Sequence, residues 1–231
     1  MSTLQVDNLT LRIRRSQRRR TMGLTVDRDG ELILAAPLST DEGTLSAFVR
    51  EKRFWIYKKL AEKAELHRPV PHKEFIDGEG FLYLGRSYRL KLVDAQDAPL
   101  KLLNGRFCLC RDHSPDPRTT FINWYSERGQ QWLTSKVNSY ANRMEVAPSR
   151  VRVQDLGYRW GSCGKGAVVY FHWKTMLLPR PIVEYVVVHE LAHLHEPHHT
   201  PAFWRRVERT MPDYERRKRW LAQNGISVEG L

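Results

Sequence analysis

The sequence predicts an α+β protein, and three observations carry that expectation. Near its start the chain alternates apolar and polar side chains in short runs, Leu9–Arg15 and Met22–Val26, broken by turn residues. Around Thr40 and again beyond Thr119, apolar residues return every three or four positions, the helical period. Further on, the apolar run Ile182–Val188 leads straight into two histidines four residues apart.

After the first two runs, Asp27-Arg28-Asp29-Gly30 turns the chain into Glu31–Ala35, so a small antiparallel sheet is expected at the start. Leu45, Phe48, Val49, Trp55, Ile56 and Leu60 predict one helix from Thr40 to about His67, opened at Thr40 and Gly43 and closed by Pro69 and Pro71. Residues 74–93, with Asp77-Gly78 and Gly85 as turns, and Leu100–Cys110 around Asn104-Gly105 read as hairpins. Arg111–Arg118 contains Ser114-Pro115-Asp116-Pro117 and is the best linker. It divides an N-terminal β-rich lobe with one helix (1–112) from a second domain (118–231).

In that second domain Thr119 to about Glu145 is helical, with Ile122, Tyr125, Trp132, Leu133, Val137 and Tyr140 along one stripe. Val151–Leu156 and Ala167–Trp173 read as two strands joined by the glycine-rich turn Trp160–Gly166. Pro181 starts a helix that Pro197 ends, and a last helix runs from about Pro201 to Asn224 with Gly225 as its stop.

Composition bounds the function. The 231 residues suffice for a substantial core, so a metal is not needed merely to fold them. No apolar stretch is long enough for a bilayer, and Met1–Asn8 lacks a secretory pattern, so no membrane is expected. Three cysteines, Cys108, Cys110 and Cys163, make neither an even disulfide set nor a CxxC pair, which points to the cytoplasm. A net charge of +12 creates a field that attracts polyanions, DNA among them, although charge alone serves solubility equally well.

The chemistry concentrates in His189-Glu190-Leu191-Ala192-His193. Histidines at i and i+4 stand about 40° apart around a helix, so both imidazoles reach one ion from the same face. Glu190, about 100° from His189, lies beside that ion without being a ligand, placed to take a proton from water. Catalytic zinc takes three protein ligands and leaves the fourth position open. His195, His198 and His199 are the candidates for the third. His195 points away if the helix continues; the other two lie beyond Pro197, and the HExxHxxxxxH spacing favours His199. Metzincins share that spacing but carry glycine where this chain has Glu196, so it is not assigned to them. Cys163 has no Cys/His arrangement around it and reads as a small buried thiol; His172 reads as a strand residue near the site.

Arg159-Trp-Gly-Ser-Cys163, Tyr185–Leu194, His199–Trp204 and Trp220-Leu221 together resemble the YgjP-like metallopeptidase family, related to SprT-like and WLM zinc peptidases of the gluzincin type. Arg14–Thr21, Trp55-Ile56 and Asp77-Gly78-Glu79 extend the resemblance over nearly the whole chain. It implies His189, His193 and His199 as ligands of one zinc ion, Glu190 as catalytic base, and a minimal zincin-like domain. That domain has a backing helix, a small antiparallel sheet whose rim strand borders the cleft, the HExxH helix and a C-terminal helix. Thr200 stands where serine is more usual.

The expected activity is hydrolysis of peptide bonds in a peptide or protein substrate, laid as an extended strand along residues 167–173. Tyr158, Arg159 and His172 are candidate oxyanion donors. The basic clusters at Arg14-Arg15, Arg18–Arg20 and Arg205–Arg219 would suit DNA or a DNA-bound protein. Two alternatives stay open: a basic nucleic-acid-binding module whose structural zinc is closed by His198 or Cys163, and a zinc hydrolase of a non-peptide amide.

Overall fold

The computed structural model describes residues 2–27, 30–66, 72–111, 116–228 and 230–231. The chain divides into two compact units, Met1–Pro69 and Val70–Leu231.

In the first unit β1 (Ser2–Val6), β2 (Leu9–Ser16), β3 (Gly23–Val26) and β4 (Leu32–Pro37) form a sheet in the order β1-β2-β4-β3, with β2 and β4 parallel. The sheet is therefore mixed, and β1 extends it beyond the strands expected. Alternation buries Leu11, Ile13 and Leu34 against Leu45, Val49 and Ile56. The expected helix is broken at Lys52 into α1 (Glu42–Glu51) and α2 (Arg53–Leu66). Asp41 opens α1, its Oδ1 accepting the Thr44 N–H at 2.9 Å. Pro69 and Pro71, expected to close the helix, lie outside the described residues.

The second unit begins with β5 (Gly80–Tyr83), β6 (Arg86–Val93), β7 (Leu100–Leu103) and β8 (Arg106–Cys110), ordered β5-β6-β8-β7. Leu84-Gly85 and Asn104-Gly105 take positive φ at both positions, as two-residue hairpin turns require. Gly85 also permits a close approach: a Cβ there would lie 2.7 Å from Pro179 Cα. This sheet shares its core with the helices that follow. Phe81 stacks on Phe121 at 4.2 Å, Phe107 meets Trp124 edge-on at 5.0 Å, and the Tyr125 hydroxyl donates to Leu82 O at 2.6 Å. The boundary expected between residues 112 and 118 is thus displaced to Pro69/Val70, because aromatic packing binds β5–β8 to the site-bearing unit. Part of the expected linker, Asp112–Pro115, lies outside the described residues.

Helix α3 (Pro117–Met144) begins with Asp116 as cap and Pro117 in its first turn. Phe121, Tyr125, Gly129, Leu133, Val137 and Ala141, four residues apart, form its buried stripe. Next come β9 (Arg150–Gln154), β10 (Gly161–Cys163) and β11 (Val168–His172), ordered β10-β11-β9. The glycine-rich segment expected as a turn contains β10, antiparallel to β11, while β9 and β11 are parallel. The small sheet is mixed, and β11 is paired on both edges. Residues 168–172 therefore have no free edge for a substrate; β10 has one.

Helix α4 (Arg180–Ala192) is buried almost all round, including Val183, Val187, Val188 and Leu191. The expected last helix is two, α5 (Pro201–Thr210) and α6 (Tyr214–Asn224), separated at Met211–Asp213. Gly225 at its end has φ −59° and leads into a short 3-10 turn, so it is not a left-handed stop. Its small size is used instead: a Cβ would come within 3.0 Å of the Trp160 indole. Among the described residues, no helix is long and apolar enough to cross a membrane.

Candidate metal centre

Helix α4 ends one residue before His193, which caps it with helical φ and ψ, so His189 and His193 keep the i, i+4 relation. The chain then turns through Leu194–Pro197 and returns at His199. Thr200 caps α5, its Oγ1 accepting the Phe203 N–H at 3.3 Å. A threonine performs this task as a serine does, which is why the departure at position 200 leaves the return path intact.

One ligand atom from each of His189, His193 and His199 lies within 4.8 Å of the others. Neither His195, His198 nor Cys163 joins this group among the described residues. The Nε2 atoms of His199 and His189 face each other at 2.9 Å. His193 Nδ1–H donates to Glu196 O at 3.0 Å, which leaves its Nε2 lone pair for an ion. Three neutral imidazoles around one point, without a fourth protein ligand, are the donor set of a catalytic zinc site and not of a closed structural one. His189, His193 and His199 form a single zinc site.

Burial keeps these imidazoles uncharged. It pushes His189 down to about 3, helped by the positive charge of its histidine neighbours and Lys218. His193 and His199 are lowered for the same first reason. Glu190, only 6% exposed, is raised to about 8 by burial, against a weak lowering by Arg159.

These shifts set opposite pH trends. An unfolded histidine protonates near 6.5 whereas folded His189 does not, so stability falls as pH drops below 6.5. Metal-free Glu190 keeps its proton to about 8 while the unfolded residue loses it near 4.5, so metal-free stability falls as pH rises between those values. Urea midpoints of the metal-free protein measured across pH should show this second slope in the wild type and lose it in Glu190→Gln. An unchanged slope would refute the burial of Glu190.

Several residues that build the site were given no role from the sequence, although Gly161, Phe203 and Trp204 lie within the segments that carry the resemblance. Phe203 is fully buried, with its ring centroid 4.6–4.9 Å from all three imidazoles. Trp204 stacks on His199 at 5.6 Å, with Lys218 Nζ 3.9 Å from the indole centroid. Gly161 on β10 lies directly against Glu190: a Cβ there would come within 2.6 Å of its Cγ and 2.7 Å of Oε1. Gly161→Ala is expected to displace the flexible carboxylate while leaving the fold intact, lowering kcat by about 100-fold, as a misplacement of about 1 Å does. Normal kcat in that variant would show that Glu190 tolerates the added methyl.

Of the three candidate oxyanion donors, Tyr158 and Arg159 line a cavity together with His189 and Glu190. His172 does not. Its Nδ1 accepts the Lys174 N–H at 3.1 Å, so Nε2 carries the proton and faces Asp155 Oδ1 at 3.5 Å. Its backbone N–H donates to Trp160 O at 2.8 Å, so it holds the 155–160 loop from below. Cys163 is half-buried, and burial, followed by the charge of Glu190, raises its thiol pKa, which suits a thiol and not a nucleophile.

A sequence profile of the YgjP-like metallopeptidase domain matches residues 20–224. The chain belongs to the YgjP-like metallopeptidase family. With the histidine triad in place, this YgjP-like protein is a zinc-dependent metallopeptidase. Among solved structures it is similar to the metallopeptidase zymogen of Pyrococcus abyssi abylysin, at 20% identity and a TM-score of 0.36, over 39% of this chain and 93% of that one. Comparison with the curated proteins yields no match.

Proposed function

We propose that Glu190 is the general base of this peptidase and that the substrate lies as an added strand along the free edge of β10. The observation that carries both assignments is the contact of Gly161 with Glu190, which sets an open strand edge beside the base and the imidazole triad. Zinc held by His189, His193 and His199 supplies Lewis acidity, lowering the pKa of a water and polarising the scissile carbonyl. Glu190 takes the proton from the attacking water onto its carboxylate and delivers it to the leaving amine. Its burial excludes competing solvent. Arg159, which lines the same cavity, directs positive charge toward the carboxylate.

Main-chain pairing predicts a test. N-methylation of a substrate amide two residues from the scissile bond, on the side that pairs with β10, should lower kcat/KM about 10-fold or more. A substrate series insensitive to N-methylation at every such amide would remove the added-strand arrangement.

Arg205, Arg209 and Arg219 are exposed on α5 and α6, which supports affinity for DNA or for a protein bound to it. Binding to duplex DNA that does not weaken between about 50 and 200 mM salt would count against this. The odd set of three cysteines supports a reducing compartment, and we assign the enzyme to the cytoplasm.

A further inference from the structure

Beside the imidazole triad is a cavity of about 260 Å³. Its walls are Trp160 from the loop before β10, Tyr185 and Val186 from α4, and Leu221 from α6; His189 and Glu190 close one side and Arg159 stands at the rim. This is smaller than the about 300–1,000 Å³ of sites that take whole drug-sized ligands. It has room for one large side chain.

The walls are preformed. Tyr185 and Val186 are buried in α4, at 5% and 3% exposure, and Trp160 is held from two sides, by Gly225 against its ring and by the His172 N–H on its carbonyl. Burial raises the Tyr185 hydroxyl far above its ordinary range, so it stays neutral and adds no charge to the cavity. The rim differs. Arg159 is exposed, and its contacts are a 3.4 Å hydrogen bond donated to Ser162 Oγ and a 5.7 Å approach to the Tyr158 ring. Among the described residues it has no carboxylate in ion-pair range. A guanidinium so placed keeps paired donors for a planar anion.

We propose that the cavity takes one large apolar or aromatic side chain adjoining the scissile bond, while Arg159 pairs with a substrate carboxylate within two residues of it. This rests on the peptidase assignment and names its substrate class. The carboxylate is an acidic side chain or the free C-terminus of a short peptide, which present the same anion to Arg159. Burying a large apolar side chain favours it over alanine by about 10- to 100-fold. A charge-assisted pair adds about 10-fold or more.

The test maps cleavage sites by mass spectrometry in a mixed peptide library, using zinc-loaded wild type, Arg159→Glu and Leu221→Trp. Wild type should cut beside Phe, Leu, Met or Trp with a carboxylate nearby. Arg159→Glu should exchange the preference for carboxylates for one for Lys or Arg while keeping the large side chain. Leu221→Trp, which fills the cavity, should shift the choice to Ala, Gly or Ser. Amidated C-termini and Asp→Asn or Glu→Gln peptides separate the two sources of the carboxylate. Cleavage without side-chain preference, or preferences unchanged in both variants, overturns the proposal and leaves the peptidase assignment standing. If wild type cuts nothing, calorimetric binding of the same peptides to zinc-loaded Glu190→Gln decides. Selective binding that Arg159→Glu abolishes supports the cavity and removes the peptidase assignment, whereas unselective or absent binding overturns both.

Discussion

His193→Ala is expected to lose its zinc ion and, with it, all measurable peptide hydrolysis. Two imidazoles with Nε2 atoms 2.9 Å apart remain, and zinc with only those two protein ligands falls below the three of a catalytic site. The substitution also frees Glu196 O from the Nδ1–H that fixes the turn after α4. His193 caps the helix and is only half-buried, so the fold should persist and circular dichroism should match the wild type. Elemental analysis after dialysis checks this directly. Stoichiometric zinc in the variant would mean that His195 or His198 can complete the site, and the ligand set would need revision.

Glu190→Gln is expected to behave in the opposite way toward metal: one zinc ion stays bound while kcat falls by about 100- to 10,000-fold. Glutamine has the same shape and fits the space against Gly161, but it cannot hold the proton of the attacking water. The effect should fall on kcat more than on KM, because the lost interaction belongs to the reaction step and not to substrate binding. Near-normal turnover would place the base elsewhere. Together the two variants separate holding the metal from using it, and a binding module with structural zinc would show no such separation.

Much of this site was legible because it depends on short-range spacing. His189, Glu190 and His193 lie within one turn of an apolar helix, and Pro197 allows the return to His199; helical geometry alone brings such groups together. The hairpin turns at Leu84-Gly85 and Asn104-Gly105 were legible for the same reason, since two residues decide a turn. Longer-range features were not. The break at Lys52 lies inside continuous helical periodicity, whereas the break at Met211–Asp213 has a local cause in Pro212, which disfavours helical backbone at Met211 and leaves it at φ −141°.

The sequence by itself determined the histidine triad and the class of chemistry, because these follow from identity and spacing along one helix and its return. Tertiary structure decided which strand edge is open, where the two cores divide, and what surrounds the metal. The pairing of β11 on both sides leaves β10 with the open edge, and packing of Phe81 and Phe107 on α3 joins β5–β8 to the site-bearing unit. Phe203 beneath three imidazoles and Gly161 against Glu190 are contacts between segments distant in sequence. No local pattern records such contacts, because close packing selects them only when the elements meet.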